Sequence, residues 1–258
     1  MSYNRVVTDE TLELFQASES GDAKAVAELI KTADLNWHRT QSYGATPIIA
    51  AIMNGHKDVV QILLDANVDI GALKTPDRNS PLHEAAFRGE PEILQMLLNK
   101  IQLNNNQSVS ALVDLQNQFG NTPLHNAART GSAGCVANLL KADAKVAIKN
   151  VMCSSTASSF LNVHHHQNGS LPLHHACYCE RPNLDVVKLL VDAGSDVNER
   201  DEQGCTPLII AAKKNQTDVI DLLRSHGADA KLKNAFGEDA LHFATLRENA
   251  SAITLLEE

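Results

Sequence analysis

Gly120-Asn121-Thr122-Pro123-Leu124-His125-Asn126-Ala127-Ala128 decides the fold, because the chain keeps returning to it. The same order recurs as Gly44-Ala45-Thr46-Pro47-Ile48-Ile49-Ala50-Ala51, as Ser80-Pro81-Leu82-His83-Glu84-Ala85-Ala86 and as Gly204-Cys205-Thr206-Pro207-Leu208-Ile209-Ile210-Ala211-Ala212. Another copy is Gly169-Ser170-Leu171-Pro172-Leu173-His174-His175-Ala176-Cys177. A degenerate one, Gly237-Glu238-Asp239-Ala240-Leu241-His242-Phe243-Ala244, lies near the end, and the weakest opens the chain around Leu14-Phe15-Gln16-Ala17. The proline positions and their equivalents, 13, 47, 81, 123, 172, 207 and 240, are 34, 34, 42, 49, 35 and 33 residues apart. Against a period of 33 the surplus is 1, 1, 9, 16, 2 and 0, so two sizeable insertions interrupt a regular array.

Each recurring residue has a physical reason. Thr46, Ser80, Thr122 and Thr206 stand where a hydroxyl can accept from the first helical turn, and proline suits the next position, where its missing donor costs nothing. Paired small residues such as Ala85-Ala86 and Ala127-Ala128 let neighbouring helices approach. A second apolar pattern follows each copy, as in Val59-Val60-Gln61-Ile62-Leu63-Leu64 and Val219-Ile220-Asp221-Leu222-Leu223, and supplies a buried stripe. Hairpin stretches come next, for example Gly194-Ser195-Asp196-Val197-Asn198 and Gly227-Ala228-Asp229-Ala230. Gly194, Gly227, Asn67 and Asp143 mark the ends of second helices and suit the left-handed conformation.

The pattern resembles the ankyrin repeat over nearly the whole chain, in seven copies. The resemblance implies an all-α ankyrin-repeat solenoid of stacked helix-turn-helix units joined by β-hairpin-like loops. It implies a single repeat domain over residues 1–258, with repeats at about 8–40, 41–73, 75–117, 118–150, 167–200, 201–233 and 234–258. The insertions are 99–111 and 151–166. Departures from the pattern, Leu171 for the capping Thr, Ala240 for Pro, and Ile49 and Ile209 for His, predict local weakening without loss of fold. The polar terminal copies suit caps that face water.

Composition narrows the function. Lys+Arg number 22 against 31 Asp+Glu, a formal charge of −9, which argues against general nucleic-acid affinity. No apolar run approaches the ~18–20 residues of a membrane span, and no secretory signal follows Met1-Ser2-Tyr3-Asn4-Arg5. A cytoplasmic location is expected, with the nucleus or delivery into a host cell left open. Cys135, Cys153, Cys177, Cys179 and Cys205 are then free thiols rather than a disulfide framework, and the Asn-x-Ser/Thr triplets at Asn106, Asn168, Asn215 and Asn249 carry no meaning.

The search for chemistry returns little. His83-Glu84-Ala85-Ala86-Phe87 falls one ligand short of a zinc-protease helix, and the repeat already accounts for His83. His56, His83, His125, His174 and His242 all occupy repeat positions. Cys153, His164, His165, His166, His175 and Cys179 form the richest set of metal-like side chains, without a recognised ligand spacing. A Cys179–His175 nucleophilic pair lacks any orienting third group. No phosphate loop, nucleophile elbow or kinase signature is present. The expectation is a non-enzymatic protein with no catalytic residue, no metal and no cofactor. The alternatives are a metal site at the Cys/His set, or a targeting fragment of a larger regulator, adaptor or host-directed bacterial effector.

What remains is a surface. Ankyrin geometry implies a concave face of hairpin tips and first helices, with free positions two and four residues before the proline equivalent and six and seven after it. Those positions are Tyr43, Ala45, Met53 and Asn54; Asp77, Asn79, Phe87 and Arg88; Phe119, Asn121, Arg129 and Thr130. They continue as Asn168, Ser170, Tyr178 and Cys179; Gln203, Cys205, Lys213 and Lys214; Phe236, Glu238, Leu246 and Arg247. Half of the chain's ten aromatics fall there, with five cations against two acids, so a net-acidic protein is expected to present a basic, aromatic face. Its expected partner is another protein, offering an acidic, apolar peptide or helix, with no nucleic acid or membrane and a monomeric state alone. Phe119 and Phe236 have the competing reading of packing on a neighbouring hairpin. Residues 99–111 are expected to form a polar loop, and 146–166 a hairpin finger in which Val146-Ala147-Ile148 pairs with Phe160-Leu161-Asn162-Val163.

Overall fold

The computed structural model describes residues 8–39, 44–103, 109–151, 169–179 and 182–257, and every regular element among them is a helix. Two compact units divide the chain, Met1–Leu112 and Val113–Glu258. The first holds α1 (Asp9–Ser20), α2 (Ala23–Leu29), α3 (Pro47–Met53), α4 (Lys57–Asp65), α5 (Pro81–Arg88) and α6 (Pro91–Leu103). The division falls within α7 (Val109–Val113). The second unit holds α8 (Pro123–Thr130), α9 (Ala133–Lys141), α10 (Pro172–Tyr178), α11 (Leu184–Asp192), α12 (Pro207–Lys213), α13 (Thr217–Ser225), α14 (Ala240–Leu246) and α15 (Ala250–Glu257).

The helices come in pairs, and each layer packs on its own kind. First helices contact first helices, α1 with α3 and α3 with α5 in one unit, α8 with α10, α12 and α14 in sequence in the other. Second helices do the same, α2, α4 and α6 in one unit and α9, α11, α13 and α15 in the other. The small pairs Ala85-Ala86 and Ala127-Ala128 are wholly buried, as close approach requires, and Val59, Val60 and Leu63 or Val186, Val187 and Leu190 fill the space behind. Asn67, Asp143, Gly194 and Gly227 all take the left-handed conformation where second helices end.

Two of the repeat histidines, His125 and His174, rivet one repeat to the next. Nδ1 of His83, His125 and His174 accepts from the backbone N–H of Ser80, Thr122 and Leu171 at 3.2, 3.1 and 3.1 Å. The proton is thereby left on Nε2, which in His125 donates to the Ser170 carbonyl (3.0 Å) and in His174 to the Glu199 carbonyl (3.1 Å). Burial holds His174 down at about 4, so the ring stays neutral in this role. Caps are less uniform than the pattern predicts. Ser80 and Thr206 accept from N3 and Asp239 caps the proline-less repeat at 2.9 Å, but Thr46, with Ile49 in place of His, makes no side-chain bond.

The hairpins share a second device. Oδ1 of Asn117, Asp201 and Asn234 each accepts two N–H groups, from residues two and four ahead, at 2.8–3.0 Å. The carbonyl of the same residue accepts from Gly120, Gly204 or Gly237 three places on, each glycine at positive φ. At Gly120 the choice is forced twice, because a Cβ there would lie 2.2 Å from the Val151 nitrogen. A ladder of long side chains links successive hairpins. Gln116 donates to the Lys149 carbonyl (3.0 Å), Lys149 to that of Arg200 (3.2 Å), and Arg200 to that of Lys233.

Two expectations about the insertions are corrected. Residues 99–103 are not loop but the last turn of α6, whose apolar series Leu94, Leu97, Leu98 and Ile101 continues at helical spacing and is buried throughout. Residues 109–111 likewise belong to α7. Val146-Ala147-Ile148 is not a strand: it follows the same turn as Val197-Asn198-Glu199, and the Lys145 N–H is held by Asp114 at 3.0 Å. Phe160–Val163 lies outside the described residues. The residues on either side of 152–168 close an ordinary turn, because Asn150 accepts from Gly169 through its carbonyl and from Ser170 through Oδ1, as Asp201 accepts from Gly204 and Cys205.

Candidate functional site

Among the described residues the candidate chemical groups are otherwise engaged. Glu84 is 2% exposed and paired with Lys74 Nζ at 2.6 Å, with Asn79 donating to it at 2.9 Å. Burial pulls Lys74 down, but Glu84 and Asp77 outweigh it and hold the ammonium above its ordinary value. Glu84 is therefore a buried counter-ion with no role for a free general base. His175 is also buried. Its Nε2 accepts from Asn150 at 3.3 Å, its ring meets that of His125 edge to face, and burial drives its pKa far down. Cys179 does not engage that ring, since its thiol donates to the carbonyls of Arg129 and His175. Burial raises the thiol above its ordinary value, the opposite of an activated nucleophile. Among the described residues no group of three His, Cys, Asp or Glu could hold a metal ion; Cys153, His164, His165 and His166 lie outside them.

The surface positions fall into two rows. One is the end of each first helix: Met53, Tyr178, Lys213 and Leu246 are last residues followed by their caps Asn54, Cys179, Lys214 and Arg247, while Phe87-Arg88 and Arg129-Thr130 are the last two residues before a glycine cap. Most are exposed, and Met53, Tyr178 and Cys179 are half-buried. The Tyr178 hydroxyl donates to Asp201 (3.2 Å), Lys213 lies over the Phe243 ring, and Arg247 reaches the Lys213 carbonyl (3.3 Å). The other row is the hairpin tips. Phe236 is 76% exposed, Phe119, Asn121 and Gln203 are half-buried, and Asn79, Ser170 and Cys205 are buried. Tyr43 and Asn168 lie outside the described residues.

Sequence reasoning overlooked the positions that organise these rows. Asn117, Asp201 and Asn234 hold the tips, and their signal was present as Asn or Asp six residues before the proline equivalent with Gly three residues later. Glu84, Asn126 and His175 share one buried position, three after the proline, where polar side chains meet the hairpin from below.

This geometry is that of known proteins. The family pattern described as ankyrin repeats (3 copies) matches residues 14–108, 102–201, 145–234 and 173–258, and the chain belongs to the ankyrin repeat family. Among curated relatives, the tyrosine-protein kinase Shark of Drosophila melanogaster is 30% identical over 95% of this chain. Human transient receptor potential cation channel subfamily A member 1 is 34% identical over 82%. The chain spans only 23% and 20% of those two proteins, so the likeness is to a part of each. The crystal structure of the ankyrin repeat domain of Bcl-3, a member of the IkappaB protein family, superimposes with a TM-score of 0.72 at 25% identity, covering 95% of this chain and 98% of that one. The human ASB11 ankyrin repeat domain gives 0.70 at 24%, covering 95% and 96%, a likeness of fold. Ankyrin repeats are in general a non-enzymatic fold that mediates protein–protein interaction. No helix among the described residues is long and apolar enough to cross a membrane.

Proposed function

We propose that this chain is a non-enzymatic binding module that takes an acidic, apolar peptide or helix of another protein on its hairpin tips and first-helix ends. The observation that carries the reading is where apolar surface stays open. Six large apolar side chains stand exposed among the described residues, and three of them, Phe87, Phe236 and Leu246, occupy the repeat's free positions. Exposed aromatics with adjacent cations are the usual anchors of an interface. Arg88, Arg129, Lys213, Lys214 and Arg247 supply those cations. The negative pole of each first helix also favours them, by about 0.3–1 kcal/mol, so charge supports the reading and the apolar anchors carry it. The two acids in the set are engaged, Asp77 with Lys74 (3.2 Å) and Glu238 with Asn234 (2.9 Å).

A partner recovered by affinity capture, then purified, tests this. Phe87→Ala combined with Arg88→Glu is expected to weaken its binding by about tenfold or more, with thermal unfolding unmoved. Unchanged affinity would sink the assignment of these residues.

A further inference from the structure

Through the second unit the first-helix row is continuous. α8, α10, α12 and α14 pack in sequence, and their ends touch. The Cys179 thiol donates to the Arg129 carbonyl, Gln216 just beyond α12 donates to the Cys179 carbonyl, and Arg247 donates to the Lys213 carbonyl. Four exposed cations stand on this row, Arg129, Lys213, Lys214 and Arg247, and no acid does. Lys213, Lys214 and Arg247 make no ion pair among the described residues. Asp218 and Glu248 are the exposed acids nearest to them in sequence, so four cations against two acids leave the strip positive. Where α10 ends, the place of a cation is taken by Tyr178. Its hydroxyl donates to Asp201 Oδ2 at 3.2 Å, and Asp201, 6% exposed, is itself fixed by the N–H groups of Gln203 and Cys205 at 2.9 and 2.8 Å. The ring is thereby held in place before a ligand arrives, which lowers the entropy lost on binding.

Packed helices lie about 8–10 Å apart. A strand rises about 3.3 Å per residue and covers one such step in about three residues, whereas an α-helix at about 1.5 Å needs about seven. From α8 to α14 a ligand therefore spans about ten residues if extended and about twenty if helical. Each ordered residue costs backbone entropy, so the extended chain makes the same charge contacts for half the ordering. We propose that the second unit binds an extended acidic segment of the partner, with its anchor residues every third position. A carboxylate meets Arg129, an apolar side chain covers Tyr178, and two further carboxylates meet Lys213–Lys214 and Arg247. The inference rests on the proposed function and narrows it, from a peptide or helix to an extended chain of one spacing and one order. The row supplies that order, because a ring interrupts the cations at one repeat only.

The test is an amide NMR titration of the whole isotope-labelled chain at low salt with three peptides. The spaced probe is acetyl-Glu-Ser-Gly-Leu-Ser-Gly-Glu-Ser-Gly-Glu-amide. Its reverse, acetyl-Glu-Gly-Ser-Glu-Gly-Ser-Leu-Gly-Ser-Glu-amide, covers the opposite chain direction. The third, acetyl-Ser-Gly-Ser-Gly-Leu-Ser-Gly-Glu-Glu-Glu-amide, has the same composition with its charges together. The better of the two spaced peptides is expected to shift the signals of Arg129, Tyr178, Lys213, Lys214 and Arg247 saturably, and to bind about tenfold tighter than the clustered one. Lys213→Gln with Lys214→Gln is expected to weaken it about tenfold. Equal affinity for spaced and clustered peptides, shifts that leave out Tyr178, or no response to the double lysine variant would each overturn the proposal. None of those results bears on whether Phe87→Ala with Arg88→Glu, in the first unit, releases a whole partner, so the spacing can fail while the wider binding face stands.

Discussion

The first-helix ends of the two units share a backbone and differ in chemistry. In Met1–Leu112 they read Met53-Asn54 and Phe87-Arg88; in Val113–Glu258 they read Arg129-Thr130, Tyr178-Cys179, Lys213-Lys214 and Leu246-Arg247. Overall charge does not explain the contrast, since residues 1–112 hold 9 cations and 14 acids and residues 113–258 hold 13 and 17. The difference lies in placement. A common frame of buried leucines and buried histidines at first-helix starts frees the exposed residues to diverge, and in the second unit they diverge toward cations.

If the frame is common, matched damage must cost the same in both units. Leu63 and Leu190 are equivalent and wholly buried, so Leu63→Ala and Leu190→Ala are each expected to lose about 3 kcal/mol by chemical unfolding; a cost in one unit only would break the comparison. Acid should separate the units next. The second holds His125, His174 and His175 buried, the first only His83 among the described residues. The folded pKa of His174 lies near 4, below its ordinary 6.5, so the unfolded chain takes up the proton first. Stability is then complete above pH 6.5 and is lost as pH falls toward 4, by on the order of 3 kcal/mol from this ring alone. Hydrogen exchange at pH 7 and pH 4.5 should show α10–α12 deprotected more than α3–α5, and equal loss would contradict this.

A smaller effect tests the turns. Asp201→Ala and Asn117→Ala each strand two backbone N–H donors and should cost about 1–3 kcal/mol, whereas Glu202→Ala beside Asp201 should fall within about 0.5 kcal/mol. The smallest change in stability is expected at the surface itself. Lys213→Glu with Lys214→Glu should move unfolding by less than about 0.5 kcal/mol yet weaken the partner about tenfold, more than Arg88→Glu alone does.

Much of the fold was legible because its signals are local. Thr-Pro at a helix start and Gly or Asn at a helix end act within four residues, and both are visible in one copy and confirmed by the next. The helical extension to Leu103 was legible too, from the spacing of Leu97 and Ile101, but the Asn/Gln content of 104–107 drew the reading toward a loop. What stayed hidden joins residues distant in sequence. Nothing local announces that His125 donates to Ser170, 45 residues on, or that Asn150 closes its turn on Gly169 across an insertion. Of the candidate face, the exposure of Phe236 and Leu246 agrees with the register, while the burial of Asn79 follows from Glu84 and Lys74, an ion pair that no repeat pattern encodes.

The most direct measurement is a hydrogen-exchange footprint of the whole chain with and without its purified partner. The account predicts protection at the hairpin tip around Phe236 and at the first-helix ends around Lys213–Lys214 and Leu246–Arg247. Protection confined to the second helices α11, α13 and α15, with those segments unchanged, would contradict it.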